Sequence, residues 1–285
     1  MMLTRQGARA PRQRAPGPRT VEAVLRATIE YEGTRFRGWQ AQINARTIAG
    51  ALNEAIRQRL GEGVKLNGAG RTDAGVHAFG QVASIHLPPG VAAGPPERLR
   101  RDLNDLLPPD INILSLRDAR PGFHARHDAR LRIYRYRFSR RRTAFGKPFV
   151  FWVKDSLAAD RMNEAVSLLQ GRHDFHSFCE NAEGHDSTLV EVAFAEVTVP
   201  PEAPDLVLFR IGASHFLWKM VRRLAGTLVE IGTGRLPPSE MSRLLAERSS
   251  RTAPWTAPPS GLFLESIAYP GDPPPVPVPP LRPAF

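Results

Sequence analysis

Alternation of apolar and polar residues along the chain is the feature that most constrains its fold. Successive side chains of a strand point to opposite sides of a sheet, so a period of two is typical of a half-buried strand. Five segments are predicted to be strands, several of them with this period: Leu25–Tyr31, Gln81–Leu87, Leu131–Phe138, Leu206–Ile211 and Leu262–Tyr269. Parallel sheets that are buried on both faces need nearly continuous apolar strands instead. The pattern therefore predicts an α+β fold with a mixed, largely antiparallel sheet.

One of these strands is rich in arginine. In Leu131–Phe138, alternation places Tyr134 on one face with Arg132, Tyr136 and Phe138. The arginine-rich alternation of this strand predicts that the sheet has one face in water.

Helical periodicity marks the segments between the strands. Thr47 is placed to cap a helix that runs to Leu60, and Ser156 is predicted to open a second helix. The strongest helical pattern runs from Leu217 to Ile231, and a short helix is predicted near 239–248. Strands and helices thus alternate around one sheet, with helices and loops on its sides.

The two ends of the chain differ from the part between them. Residues 1–20 hold five arginines, three prolines and no acidic residue, which predicts a disordered basic arm. Residues 270–285 hold eight prolines and no helix or strand pattern, which predicts an extended or disordered proline-rich tail. No segment is apolar and long enough to cross a membrane or to act as a secretory signal, and Cys179 is the only cysteine. A cytoplasmic location is therefore expected.

The charge balance predicts a polyanionic partner. The chain has 39 basic and 28 acidic residues, which gives a net charge of +11, and only four of the basic residues are lysine. Arginine suits bidentate contacts with phosphate and stacking on bases, so nucleic acid is the expected partner. The alternative is an arginine-biased genome that raises the charge of any protein.

The densest local signal is the segment Gly68–Ala78, which reads GAGRTDAGVHA. Its three glycines allow tight turns and close approach of another backbone, and between them lie Arg71 and Asp73. The spacing matches neither a phosphate-binding loop nor a dinucleotide fingerprint, so no nucleotide cofactor is expected. Taken alone, the segment is also explained as a glycine-rich turn in which Asp73 bonds its own backbone.

Seven motifs in order resemble the tRNA pseudouridine synthase A family. They lie at Tyr31–Gln40, Arg71–His77, Leu103–Ile111, Phe123–Arg126 with Tyr134–Tyr136, Gly171–Phe178, Met220–Arg222 and Gly261–Leu264. The chain departs from the family at Ala49, at Ser214–His215 and at Thr188–Glu191, where members usually carry glutamine, an Asn-Gly-like pair and an arginine. These departures bear on substrate contacts and not on the reaction.

The resemblance implies a fold and a reaction. The fold has two similar halves, residues 21–120 with the catalytic loop and residues 121–269, and the active-site cleft lies between them. The reaction converts uridines 38, 39 and 40 of the tRNA anticodon stem-loop to pseudouridine, with neither cofactor nor metal, in an enzyme that is a homodimer. Two alternatives stay open: a noncatalytic tRNA-binding protein of the same fold, and an isomerase for a different RNA.

The resemblance also implies the site residues. Asp73 is the catalytic carboxylate, acting either on the sugar C1′ as a nucleophile or on the C2′ proton as a base. Tyr134 stacks on the extruded uracil, Arg71 holds the base out of the stem, Arg222 pairs with Asp73, and Leu262 lines the pocket floor. In the helical pattern Arg222 lies off the apolar stripe, whereas Arg223 is the better candidate for a solvated arginine.

Two other readings are set aside. His124 with His127 and His173 with His176 are spaced like helical metal ligands, but they fall in segments that resemble loops and have no cysteine pair, so no metal site is expected. Cys179 is expected to be a buried, inert thiol.

Overall fold

A computed structural model describes residues 23–279 of the chain. The predicted basic arm, residues 1–20, lies outside the described residues. None of the helices in the described part has the length and apolar character that a bilayer crossing requires.

Residues 23–279 form ten strands and five α-helices. The strands are β1 Ala23–Tyr31, β2 Lys65–Gly68, β3 His77–Leu87, β4 Ile111–Asp118, β5 Leu131–Ser139, β6 Phe151–Trp152, β7 Gly171–Asp174, β8 Leu189–Thr198, β9 Leu206–Ala213 and β10 Leu262–Ala268. The helices are α1 Ile48–Leu60, α2 Pro96–Leu106, α3 Ala159–Ser167, α4 Met220–Gly232 and α5 Glu240–Ala246.

All ten strands belong to one mixed sheet, with the order β4-β1-β3-β10-β5-β9-β8-β7; β2 pairs with β3 and β6 with β5. Every pairing is antiparallel except β3 with β10 and β5 with β6. The predicted α+β fold with a mixed, largely antiparallel sheet is confirmed. The parallel β3–β10 contact joins the strand that follows the Gly68–Ala78 loop to the last strand of the sheet.

Local sequence signals explain several helix boundaries. The Thr47 side chain accepts a hydrogen bond from the Gly50 amide, which caps α1 as predicted. Helix α4 is buried along nearly all of its length, in keeping with its strong apolar pattern. Helix α3 begins at Ala159 and not at Ser156, and no side chain caps it. Helix α2 and the strands β2, β4, β6, β7 and β8 were not predicted.

Strand β5 corrects the prediction of a wet face. Arg135 is 2% exposed and Arg137 is fully buried, so both faces of the strand are covered. The Arg135 Nε lies 2.8 Å from the Glu265 carboxylate, which is also buried, and Arg210 lies 2.9 Å from the same side chain. These contacts pair the buried charges with one another. The pairing matters for stability because a buried charge that loses its partner is costly.

The proline-rich tail supplies part of this cover. At the start of the tail, the Asp272 carboxylate accepts hydrogen bonds from both terminal nitrogens of Arg26, at 2.9 and 2.7 Å. Farther along, Arg135 donates to the carbonyls of Val278 and Pro279 at 2.6 and 3.2 Å. The half-buried positions are 272, 275 and 278, a period of three that matches a polyproline II helix laid along a surface. As far as residue 279, the tail is therefore extended and docked against the sheet.

Candidate active site

The Gly68–Ala78 loop is anchored at its entrance. It leaves β2 at Gly68, and the Ala69 amide donates to the Val82 carbonyl of β3 at 2.8 Å. The Gln81 side chain donates to the Gly70 carbonyl at 2.9 Å. These bonds tie the start of the loop to the strand that follows it.

The segment after β1 packs directly on the middle of the loop. Trp39 donates its amide to the Thr72 carbonyl at 3.0 Å, and the Tyr31 hydroxyl lies 2.8 Å from Thr72 Oγ1. Gly38 has φ +94°, and a Cβ there would lie 2.6 Å from the Thr72 carbonyl oxygen. Only glycine allows both this conformation and this approach, which explains the glycine at position 38.

His77 fixes the end of the loop. Its Nδ1 accepts the Gly33 amide at 3.1 Å, so Nε2 carries the proton and donates to the Pro148 carbonyl at 2.9 Å. Burial is the main reason why the pKa of His77 falls to about 4. The ring is therefore neutral at pH 7, and its two hydrogen bonds join the Gly33 segment to the Pro148 segment.

Asp73 extends from this anchored loop toward helix α4. Its Oδ2 lies 3.3 Å from Arg222 Nη1, and Arg222 Nε donates to the Ala257 carbonyl at 2.8 Å. The Asp73 side chain is 27% exposed and that of Arg222 is 15% exposed. The carboxylate thus bonds a cation from the far end of the chain rather than the backbone of its own turn. The bond to Ala257 holds the guanidinium in place, and the partial exposure of the Asp73 side chain leaves its carboxylate reachable from solvent.

Arg223, the neighbour of Arg222, is not solvated as predicted. It is 6% exposed, donates to the Cys179 carbonyl at 2.6 Å and bonds the Glu180 carboxylate. The two arginines leave α4 in different directions, because adjacent helical residues are about 100° apart. One faces Asp73, and the other fastens the Cys179–Glu180 segment.

Tyr134 lies on the same side of the sheet as this pair. Its ring is 7% exposed and meets Phe216 edge-on, with the centroids 4.9 Å apart. Burial raises the pKa of Tyr134, and the nearby Tyr31 and Asp73 raise it further. The hydroxyl therefore stays protonated, and Asp73 is close enough to act on it electrostatically.

Leu262 lies in β10, the strand next to β5. It is 5% exposed and pairs with Tyr136 across the β10–β5 ladder, while Leu264 pairs with Tyr134. Residues that face one another across a ladder share a face of the sheet. Tyr136 is fixed by its hydroxyl, which donates to the Pro258 carbonyl at 2.6 Å.

The predicted site residues fall into two groups. Asp73 and Arg222 touch, and Tyr134 and Leu262 lie on the sheet face beside them. Arg71 is exposed and forms no ion pair within residues 23–279, although only Thr72 separates it from Asp73. An exposed cation thus lies two residues from Asp73 in the chain.

The structure also describes the two histidine pairs and Cys179. Among residues 23–279, no three His, Cys, Asp or Glu side chains are grouped so that they could hold a metal ion. His173 lies in strand β7 and not in a loop. Cys179 is 4% exposed, and burial raises the pKa of its thiol, so the expectation of a buried cysteine is confirmed.

A known protein family matches most of this chain. The profile of the family described as tRNA pseudouridine synthase matches residues 27–128 and 165–270. The chain belongs to this family. Strand β5 lies between the two matched segments, and the Gly68–Ala78 loop and Arg222 lie within them.

Several relatives in this family are named tRNA pseudouridine synthase A. One from Myxococcus xanthus is 40% identical over 252 residues, which cover 88% of this chain and 93% of the relative. One from Moorella thermoacetica is 39% identical over 249 residues, with 86% and 99% covered. One from Geobacillus kaustophilus is 38% identical over 248 residues, with 86% and 94% covered.

Sequence reasoning missed some residues that shape this pseudouridine synthase site. His77 and Thr72 stood in the recognised motif, but their roles depend on partners more than 40 positions away. The paired glycines Gly33 and Gly38 were the available signal, because a Cβ at either position would strike the loop backbone.

Proposed function

We propose that this chain isomerises uridines 38, 39 and 40 of the tRNA anticodon stem-loop to pseudouridine, with Asp73 as the catalytic carboxylate. The observation that carries the proposal is the contact of Asp73 with Arg222 beside Tyr134. A carboxylate that faces a polyanion opposes binding, so a protein that only bound RNA would have no use for it at the cleft. Membership of the pseudouridine synthase family supports the same reading.

The reaction breaks the N1–C1′ bond, turns the uracil and joins C5 to C1′. The C5 proton is lost to solvent, and N1 gains a proton, so nothing is oxidised or hydrolysed. Asp73 either attacks C1′, to be displaced later by C5, or removes the C2′ proton and returns it. Either route uses the carboxylate in its ionised form, and Arg222 donates a hydrogen bond to that carboxylate at 3.3 Å.

The target uridine must leave the stem before Asp73 reaches it. The deep, narrow groove of A-form RNA hides the glycosidic bond, and extrusion of a base costs a few kcal/mol. Tyr134 offers a ring on which uracil stacks, and Leu262 offers the apolar floor. Arg71, exposed at the mouth, is placed to hold the extruded nucleotide or its phosphate.

The proposal extends to the assembly. We take the site to draw Arg71 and Asp73 from an N-terminal half, residues 21–120, and its other members from a C-terminal half, residues 121–269. We place the active enzyme in the cytoplasm as a homodimer, as the family resemblance implies, with tRNA as its substrate. The net charge of +11 suits that polyanion.

A release assay tests the function. Transcripts carry uridine tritiated at C5 only at position 38, 39 or 40, and a control transcript carries it only outside the anticodon stem. The proposal expects tritium release from the first three transcripts and none from the control. Tight binding without release would favour a noncatalytic protein, and release from the control alone would favour an isomerase that acts at another position.

A further inference from the structure

The guanidinium of Arg132, which the resemblance does not assign a role, bridges three loops. Its Nη1 donates to the Ser214 carbonyl at 2.6 Å, and its Nη2 donates to the Arg126 and Ala69 carbonyls at 2.8 and 3.2 Å. A longer bond of 3.5 Å joins Nη1 to the Ala129 carbonyl. Arg132 thus bonds backbone carbonyls that lie 82 and 63 residues away from it in sequence.

Each of these loops carries part of the site. Ala69 opens the loop that bears Asp73. Ser214 opens the segment in which Phe216 contacts Tyr134, and this segment leads into the helix that bears Arg222. Arg126 ends the His-Ala-Arg motif before β5. The bonds of Arg132 therefore converge on the chain segments whose relative placement sets the distance between Asp73 and Arg222.

The donors of Arg132 are already used by the protein. A guanidinium has five N–H donors, four of them on the two terminal nitrogens. The four carbonyls account for both terminal nitrogens, so no free fork remains for a phosphate. Arg132 forms no ion pair within the described part of the chain, and burial lowers its pKa. Arg132 is a part-buried cation that is bonded only to carbonyls. This arrangement is typical of an arginine that holds backbone segments together rather than one that forms a salt bridge.

We propose that Arg132 is a positioning residue for the isomerisation, acting by fixing the three loops relative to one another. The proposal rests on the proposed function. Lysine at this position keeps the charge but lacks the planar fork, so it reaches fewer carbonyls. Loss of the clamp lets the Asp73 loop and the Ser214–Trp218 segment move apart, and small misplacements in an active site have large effects on rate.

The test compares Arg132→Lys with Arg130→Lys, a change of an exposed arginine two residues away. Single-turnover tritium release at saturating tRNA is measured together with the Kd for tRNA across a range of salt. For Arg132→Lys we expect a rate about tenfold or more below the unsubstituted chain, a Kd within about threefold and an unchanged salt slope. For Arg130→Lys we expect no change in rate.

Two results would overturn the proposal. One is an unchanged rate in a folded Arg132→Lys protein. The other is a weaker Kd with a salt slope reduced by about one, which would make Arg132 a phosphate contact.

Hydrogen exchange provides a readout that needs no activity. Amides in 69–72, 126–129 and 214–217 should lose protection together in Arg132→Lys, and protection elsewhere should stay. If that variant fails to fold, hydrogen exchange of the unsubstituted chain tests the proposal instead. Loops that are held together by Arg132 should open together, with one shared free energy of opening. Independent opening would contradict the clamp. Failure of the unsubstituted chain to release tritium would count against the proposed function, while exchange still tests the clamp.

Discussion

Arg222 Nη1 lies 3.3 Å from Asp73 Oδ2, although 149 residues separate the two in sequence. The aspartate is held by a glycine-rich loop between β2 and β3, and the arginine by a buried helix and the Ala257 carbonyl. The distance is longer than that of a tight charged hydrogen bond, about 2.7–2.9 Å. The carboxylate is thus paired yet left with room to engage a substrate.

Replacement of Arg222 by lysine should slow the reaction. The lysine ammonium cannot bond Asp73 and the Ala257 carbonyl with the geometry of a guanidinium. We expect kcat to fall about 10- to 100-fold with a smaller change in KM, measured by steady-state tritium release. Arg235→Lys, which changes an arginine paired with surface carboxylates, is the control and should stay near the unsubstituted rate. Full activity in Arg222→Lys would mean that the pair does not support catalysis.

Replacement of Tyr134 by phenylalanine should be mild. Phenylalanine keeps the stacking ring and removes only a hydroxyl, whose neutral hydrogen bond is worth about 1 kcal/mol. We expect kcat/KM to fall less than about tenfold. Tyr134→Leu also removes the stacking, worth about 1–3 kcal/mol per base, and should fall further. If Tyr134→Phe were as inactive as a variant without Asp73, the hydroxyl would take part in the chemistry.

His77 should make the fold sensitive to mild acid. Its pKa is about 4 in the folded chain and about 6.5 when unfolded, so the unfolded chain binds more protons between these values. Stability is therefore full above about pH 6.5 and is lost as pH falls toward 4, by about 3 kcal/mol. Urea unfolding from pH 7 to pH 4 should show this loss, and His77→Gln should lack that share of it. Parallel pH curves for the two proteins would contradict the assignment.

The docked tail should contribute to stability and not to chemistry. Asp272→Ala removes two charged hydrogen bonds to Arg26, and we expect the free energy of unfolding to fall by about 1–3 kcal/mol. Tritium release per folded molecule should stay unchanged. Asp205→Ala breaks an exposed pair with Arg141 and should cost less than about 1 kcal/mol. Equal losses in the two variants would mean that the tail is not held at Asp272.

Sequence patterns predicted the parts of the fold that depend on local order. The period of two placed Tyr134 and Tyr136 on one face of β5, and the apolar stripe marked α4. The same alternation could not show that the other face is covered. Arginine is usually exposed, and the partners of Arg135 lie more than 120 residues farther along, at Glu265 and Val278.

The sequence predicted which residues form the candidate site, but not which residues hold them in position. The resemblance named Asp73, Arg222, Tyr134 and Leu262 as one site. It did not reveal that His77 holds the loop or that Arg132 joins three loops, because these contacts are made to backbone atoms. Backbone acceptors are the same for every residue type, so no letter in the sequence marks them. Arg223 was mistaken for a solvated residue because its partners, the Cys179 carbonyl and the Glu180 carboxylate, lie more than 40 positions earlier in the chain.

The most direct test of the central claim is single-turnover tritium release by Asp73→Asn from a tRNA labelled at C5 of the anticodon-stem uridines. Asparagine has nearly the same size, so the loop should stay folded while the ionised carboxylate is lost. We predict release no higher than in a blank without enzyme, with a Kd for tRNA within a few fold of the unsubstituted chain. Appreciable release by Asp73→Asn would contradict the assignment of Asp73 as the catalytic carboxylate.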